Sequence, residues 1–397
     1  MMLTHKKLIR QFTWILFASS VGIGLSYIMF KGGALAYVAI YNKTQELINS
    51  AILAQNIPSG DSIPVEKIIN SERTFEKTST FYDNAKNTVS IGFVGDIIPG
   101  ADVSSNIFSN IISYTEKPDI MIGNFEGVAT SSIYFKCKSD PSNCFSFNGD
   151  NKFLKLLSLA SFDVLNIANN HFNDYGEIGQ DETIKEIKNA GIMASGAKDE
   201  ITYLTRKDIK IGIIGFSTYP WASDMNDAEA LQELIKTADL NADIVIVIFH
   251  GGGEGVKYSH TPMETEWYLG ENRGNVRSFS HDAIDAGSDI VLGSGPHVLR
   301  GIEKYKDKLI VYSLGNFASA NDVSISGANK TSAMIALGLD KNGSLVSGAI
   351  YPFEIDEFGI PHPDLNNRAI STINELSKSD FGEQGITLSP SGEIILR

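Results

Sequence analysis

Asp243–Phe249 reads Asp-Ile-Val-Ile-Val-Ile-Phe and runs straight into His250. Consecutive apolar, mostly β-branched residues with no polar alternation describe a strand covered on both faces. The pattern recurs at Val89–Gly95, Asp119–Gly123, Asp163–Ala168, Ile209–Gly215, Asp289–Gly293 and Leu309–Leu314. Helical stretches separate most of these runs: Lys152–Ala160, Glu177–Ala190, Ala228–Leu240 and Val276–Gly287. Strands alternating with helices predict an α/β fold built on a mostly parallel, two-sided sheet. Ile201–Thr205 is expected to pair with Ile209–Gly215. Met334–Leu339 and Val346–Ile355 follow without helices and are expected to pair antiparallel. The stretch after Asn374 is weakly patterned and expected to be peripheral.

The strands share an ending. Each of five hands an Asp, Glu, Asn or His to what should be one rim: Asp96; Asn124 with Glu126; Asn170 with His171 and Asp174; His250; His297. Ligand sites in open α/β sheets lie at the carboxyl ends of strands. Amide oxygen, imidazole and carboxylate together suit a divalent ion of intermediate softness, such as Mn, Fe or Zn. An Asn-rich turn capping the next helix also fits Asn169–Gly176 alone, but His250 and His297 are poor helix caps. Neighbouring glycines (Gly251, Gly252, Gly253, Gly293, Gly295) permit close approach of a ligand.

Lys6, Lys7 and Arg10 precede an uncharged, mostly apolar run from Phe12 to Phe30, closed by Lys31. The run is near the roughly 20 residues that span a bilayer core. The basic flank keeps the N-terminus cytoplasmic and sends the bulk outward. A cleaved signal peptide ending near Ala34-Leu35-Ala36 is the alternative; the length of the run and the interrupting Lys31 favour an uncleaved anchor. Residues 1–11 are then cytoplasmic, 12–30 a transmembrane signal anchor, 32–88 a membrane-proximal helix and Pro/Ser/Asn-rich linker, 89–376 the globular domain, and 377–397 a tail. Cys137 and Cys144 sit in a polar, turn-rich loop, and an oxidising compartment makes a short-loop disulfide the natural reading. A net charge of -14 argues against a nucleic-acid partner.

Several stretches carry a resemblance. Gly95-Asp96, Asn124-x-Glu126, Asn169-Asn170-His171-x-x-Asp174-x-Gly176, His250-x-Gly252-x-Glu254, Gly293-x-x-Pro296-His297-Val298-Leu299 and Tyr312-Ser313-Leu314-Gly315-Asn316-Phe317 occur in that order. The series resembles the CapA family of poly-gamma-glutamate capsule biosynthesis proteins, related to calcineurin-like metallophosphoesterases. The resemblance implies a metallophosphoesterase-like αββα sandwich behind a transmembrane anchor in a bacterial cell membrane. It implies a role in making, moving or anchoring poly-gamma-glutamate or a similar anionic polymer, beside a ligase-like synthase and a small membrane subunit. Asp96, Glu126, Asn170, His250 and His297 would be metal ligands. His171 would be a ligand or the general acid. Asp174 would orient His171 or cap the following helix, with capping favoured. Asn124, Asn169 and Glu254 would support the ligands.

The sequence also departs from the phosphoesterase pattern. Ile98 stands where those relatives have a His, Gly295 replaces the first His of His-Pro-His, Gly251 replaces an aromatic, and Val256–Asn275 is longer. Two potential ligands are thereby lost, which favours one ion over two, or binding without hydrolysis. His260, His281 and His362 match nothing in the series and read as surface or packing residues; Arg273 and Arg277 could reach an anionic ligand, with a solvated face favoured. A metal-dependent phosphoesterase or polymer hydrolase, and a non-catalytic scaffold subunit, are the alternatives to a polymer-engaging metal protein.

Overall fold

A computed structural model describes residues 87–395, apart from 102, 105, 139–143 and 321–324. The run from Phe12 to Phe30, its basic flank and the linker up to residue 86 lie outside the described residues. Among the described residues no helix is long and apolar enough to cross a membrane.

The principal strands in chain order are β1 (Thr88–Ile98), β2 (Ile120–Phe125), β3 (Val164–Asn166), β4 (Met193–Ser195), β5 (Thr202–Arg206), β6 (Ile209–Ser217) and β7 (Ile244–His250). They continue with β8 (Ile290–Ser294), β9 (Ile302–Tyr305), β10 (Lys308–Val311), β11 (Asn316–Ser319), β12 (Thr331–Asp340), β13 (Leu345–Ile355) and β14 (Pro361–Pro363). These strands form two sheets rather than one. An eight-stranded sheet runs β14-β13-β12-β1-β2-β3-β4, with β11 also on β1. A seven-stranded sheet runs β9-β10-β8-β7-β6-β5, with the short strand Ser223–Asp224 on β6. The centres of both are parallel. The expected antiparallel pairs, β5 with β6 and β12 with β13, are present.

Strand periodicity explains the layering. Ile91 and Phe93, Ile120 and Ile122, Ile244, Ile246 and Ile248, and Ile290 and Leu292 meet in one buried cluster between the sheets. The alternate residues face outward. Met121, Leu165 and Ile167 pack on Phe153 and Leu157 of α1 (Asn151–Leu159) and Ile187 of α2 (Gly176–Asn189). Val245, Val247 and Phe249 pack on Leu231 and Ile235 of α3 (Ala228–Asp239) and Phe279 and Ala283 of α4 (Val276–Ala286). The order is helix, sheet, sheet, helix, so both faces of each central strand are apolar. Each fully buried Ile or Leu contributes about 1.5–3 kcal/mol of transfer free energy. Asp150, Asp227 and Asn275 cap α1, α3 and α4 by accepting from Phe153 N, Ala230 N and Ser278 N, which sets where each helix begins.

The C-terminal stretch differs from expectation. Ala369, Ile370 and Ile373 of α5 (Arg368–Phe381), then Ile386, Leu388 and Ile394, enter the inter-sheet core. Isolated bridges from Gly385 to Glu303 and from Glu393 to Ala349 fasten it to β9 and β13. It is part of the domain, not a peripheral tail. Cys137 and Cys144 form a disulfide with their Cα atoms 5.3 Å apart.

Candidate metal centre

Parity carries polar side chains to one rim. Residues two apart on a strand share a face. Asn124 therefore follows Ile122, Asn166 follows Val164, His250 follows Ile248 and Ser294 follows Leu292 into the space between the sheets. β1 would turn Gly95 inward by the same count. Instead its pairing slips around Asp96, which lies opposite both Asn124 and Asn316. Such a bulge re-aims one side chain, and Asp96 becomes the inward residue. Gly95 is required there, because a Cβ would fall 1.9 Å from the Gly315 carbonyl oxygen. His297 sits after Gly295 (φ 112°) with its own φ at 59°. A left-handed non-glycine residue is sparsely populated and costs of order 1–3 kcal/mol. The conformation is held because the ring is pinned on both sides.

Three imidazoles converge on Glu126, each with Nδ1 occupied and Nε2 directed inward. His171 Nδ1 is 2.8 Å from Asp174 Oδ2. His250 Nδ1 lies 3.1 Å from Asn124 Nδ2 and 3.2 Å from Ser294 Oγ. His297 Nδ1 is 2.9 Å from Asn316 Oδ1 and 3.0 Å from Asp96 Oδ2. The Nε2 atoms of His171, His250 and His297 stand 3.9, 3.8 and 3.6 Å from Glu126 Oε1. Asp96, Glu126 and His297 each offer a ligand atom within 4.8 Å of the others. At His171 and His297 the Nδ1 partners are acceptors, which leaves Nε2 as the ligating nitrogen. At His250 the Asn124 amide donor and the Ser294 hydroxyl both face Nδ1, and only the hydroxyl can accept from it.

Neither oxygen of the fully buried Glu126, nor His250 Nε2, has a hydrogen-bond partner. Buried polar groups are almost always paired, and one left unsatisfied costs about 1–3 kcal/mol, more when charged. A divalent cation among these atoms removes that cost, so the residues fit a metal. Burial raises the Glu126 carboxyl well above its ordinary range, against the pull of His297. Burial alone would lower His297, but Glu126 and Asp96 hold it up to about 10. Burial also works against ionised Asp96, but the His297 hydrogen bond, the His297 and His250 charges and the Asn124 hydrogen bond together outweigh it and lower the pKa. His250 is pushed well below the ordinary histidine value by burial. Burial lowers His171 too, against Asp174. His171 and His250 are thus held neutral, the form that ligates.

The supporting residues form a chain around the cluster. Asn124 Nδ2 donates to Asp96 Oδ1 at 2.8 Å, and Asn124 Oδ1 accepts from Asn166 Nδ2 at 2.8 Å. Asn169 Nδ2 donates to the Phe125 carbonyl and its Oδ1 accepts from His171 N. Glu254 Oε2 is 3.8 Å from His297 Nε2. Asp174 orients rather than caps: its carboxylate holds His171, accepts from Phe147 N and pairs with Lys136 Nζ at 2.6 Å. The N-cap of α2 is Tyr175, with no side-chain cap bond. Asn170 precedes His171 in the same segment. It lines a neighbouring cavity, and its buried Oδ1 has no hydrogen-bond partner.

Arg273 is not on a solvated face. It is 1% exposed and pairs with Glu254 at 2.9 Å. A loop that folds back puts it there: Arg273 N donates to Glu266 O and Gly252 N to Arg273 O. Glu266 in turn accepts two bonds from the fully buried Arg300, at 2.8 and 2.6 Å. Sequence reasoning also passed over Asn166, although its parity with Val164 marks it as inward. Arg277 pairs with Glu303, as does His281; His260 and His362 pair with Asp380 and Asp356.

Residues 90–321 match the family model described as bacterial capsule synthesis protein PGA_cap. The PGA biosynthesis protein CapA of Bacillus subtilis is 32% identical over 68% of this chain and 71% of its own length. The capsule biosynthesis protein CapA of Bacillus anthracis is 29% identical over 71% of this chain and 70% of its own. Among solved structures, a 5'-nucleotidase precursor from Thermus thermophilus aligns with a TM-score of 0.40 and 11% identity. That alignment covers 74% of this chain and 59% of the other.

Proposed function

The chain belongs to the bacterial capsule synthesis protein family, and on that premise we propose that it is a membrane-anchored component of poly-gamma-glutamate or similar capsule-polymer biosynthesis, export or anchoring. Its outward-facing, metallophosphoesterase-like domain engages the polymer through a divalent cation, Mn, Fe or Zn. The names of its relatives support the polymer. The basic flank before Phe12–Phe30 supports a single-pass anchor with a cytoplasmic N-terminus, and the Cys137–Cys144 disulfide supports an oxidising, extracytoplasmic location.

One observation carries the metal: a buried Glu126 carboxylate with no donor, faced by three imidazole Nε2 atoms. In this reading Asp96, Glu126, His250 and His297 hold the ion, and His171 joins them or acts on the ligand beside them. When bound, a divalent cation supplies Lewis acidity and a positive charge for carboxylates. That charge offsets the repulsion between an acidic protein and an acidic polymer. Lys136 clamps Asp174, and Asp174 fixes the His171 ring.

A second reading, a metal-dependent phosphoesterase or polymer hydrolase, is favoured by the His171–Asp174 pair. Such a pair holds and moves a proton at Nε2 in general acid–base work. The test uses full-length protein in lipid nanodiscs. Retention of labelled poly-gamma-glutamate that EDTA abolishes and added Mn restores supports the first reading. Turnover of a phosphoester, or shortening of the polymer, that is lost in His171→Ala moves the assignment to the second. Neither retention nor turnover leaves a scaffold role for the synthase complex.

A further inference from the structure

Beside the cluster lies a cavity of about 300 Å³ whose walls include Tyr134, Lys136, Asn170, Tyr219, Trp221 and Glu271. Two chains of contacts tie it to the metal residues. On one side Lys136 Nζ is 2.6 Å from Asp174, Asp174 is 2.8 Å from His171, and His171 Nε2 is 3.9 Å from Glu126. On the other, Arg273 Nη1 is 3.3 Å from Tyr219 Oη and 2.9 Å from Glu254, and Glu254 is 3.8 Å from His297. The chains end on Glu126 and His297, which are 3.6 Å apart. A ligand in this cavity is therefore linked to the candidate metal residues through two intervening side chains on each side.

The walls select a ligand chemistry. Tyr219 and Trp221 stack at 5.2 Å with planes 16° apart, a flat apolar platform. Trp221 Nε1 donates to the Asn169 carbonyl at 2.8 Å, which locks the platform to the Asn-Asn-His segment. Asn170 contributes to the wall, but its partnerless Oδ1 is buried away from the cavity space. Lys136 is a cation for a carboxylate, shared with Asp174. Glu271 accepts from Tyr219 Oη at 2.6 Å and keeps acceptor capacity for further N–H groups. A flat plane, an N–H donor and a carboxylate together describe an amide-linked, carboxylate-bearing chain. The volume is at the lower end for ligand pockets, about 300–1,000 Å³, so a short segment fills it.

We propose that this cavity is a subsite for a short amide-linked, carboxylate-bearing segment of the polymer, read by Lys136, Glu271 and the Tyr219–Trp221 platform and coupled to the candidate cation site through Asp174–His171 and Arg273–Glu254. The proposal rests on the polymer-engaging reading above. It deepens that reading by separating recognition of the chain from metal binding.

The test is calorimetric titration of Mn-loaded, full-length protein in nanodiscs with a γ-linked glutamate oligomer, against Trp221→Leu and Lys136→Met. Metal content is measured on each sample. The subsite requires both variants to keep their metal while affinity falls about tenfold or more, and more for Trp221→Leu at high salt, where the Lys136 contribution is screened. Unchanged affinity in either metal-loaded variant overturns the subsite and leaves the polymer reading standing. No oligomer binding by the metal-loaded parent overturns both. Should Trp221→Leu fail to fold, Trp221→Phe takes its place, because Lys136→Met alone also releases Asp174 and with it the His171 ring.

Discussion

Two buried glutamates lie in this domain with histidines beside them, and they differ in one respect. Glu303 is fully buried and fully partnered: Tyr312 Oη donates to it at 2.7 Å, His281 Nε2 is at 3.1 Å and Arg277 Nη2 at 3.2 Å. Burial opposes its charge, but His281, Tyr312 and Arg277 outweigh it and lower its pKa. Glu126 is equally buried and has no donor. Its pKa is raised well above the ordinary value. The first arrangement is complete as folded and stabilises the domain. The second leaves its polar atoms unpaired as folded, and the proposed cation would complete it. A buried charge is thus informative about function when its partner is absent, not when it is merely buried.

Substitution should separate them most sharply. Glu303→Ala strands Arg277, His281 and the Tyr312 hydroxyl, and breaking such a pair costs about 3–5 kcal/mol. Denaturant unfolding of metal-free protein should show that loss. Glu126→Gln should leave metal-free stability unchanged or higher, because no donor loses its partner. Equal losses in both would dissolve the contrast. Metal should then act on one site only. At a free Mn concentration of 100 times Kd, binding adds about 2.7 kcal/mol to the folded state. The thermal midpoint of the parent and of a milder Glu303→Gln variant should rise on adding Mn, while that of Glu126→Gln should not.

The smallest effect is the pH dependence of the metal-free protein, and its sign differs between the two. Glu303 has a lowered folded pKa, so its stabilisation is present above the unfolded value near 4.5 and is lost as pH falls through the folded one. The stability gap between parent and Glu303→Gln should therefore shrink in acid. Glu126 has a raised folded pKa, so its contribution is present below 4.5 and is lost as pH rises through the folded value. The gap between Glu126→Gln and the parent should widen with rising pH. Urea titrations from pH 4 to 8 measure parent minus variant for each pair. That difference should rise with pH for Glu303→Gln and fall with pH for Glu126→Gln, and slopes of the same sign would contradict the assignment.

The same contrast marks what the sequence could disclose. Apolar runs identified the strands, and strand ends pointed to Asp96, Glu126, His171, His250 and His297, because a short-range pattern encodes both. Division into two sheets was not legible from those patterns, since which strand pairs with which is a long-range choice; the family resemblance had implied it. The bulge at Asp96 exists only in the pairing of β1 with β2 and β11. Arg273 read as solvated because its loop has no periodicity; its burial comes from Glu266 and Arg300, tens of residues apart in sequence. Asp174 sits where a helix cap would, and only the 2.8 Å contact to His171 assigns it to orientation. Ile386, Leu388 and Ile394 are spaced too irregularly to announce a core segment.

The most direct measurement is metal stoichiometry. Full-length protein, dialysed against Mn, Fe or Zn and then freed of excess ion, should retain at least one equivalent of divalent metal by mass spectrometry. Glu126→Ala and His250→Ala should each retain close to none, while Glu303→Gln should match the parent. Metal-free parent protein at saturating ion, or full retention after loss of Glu126, would contradict the convergence on which the functional reading depends.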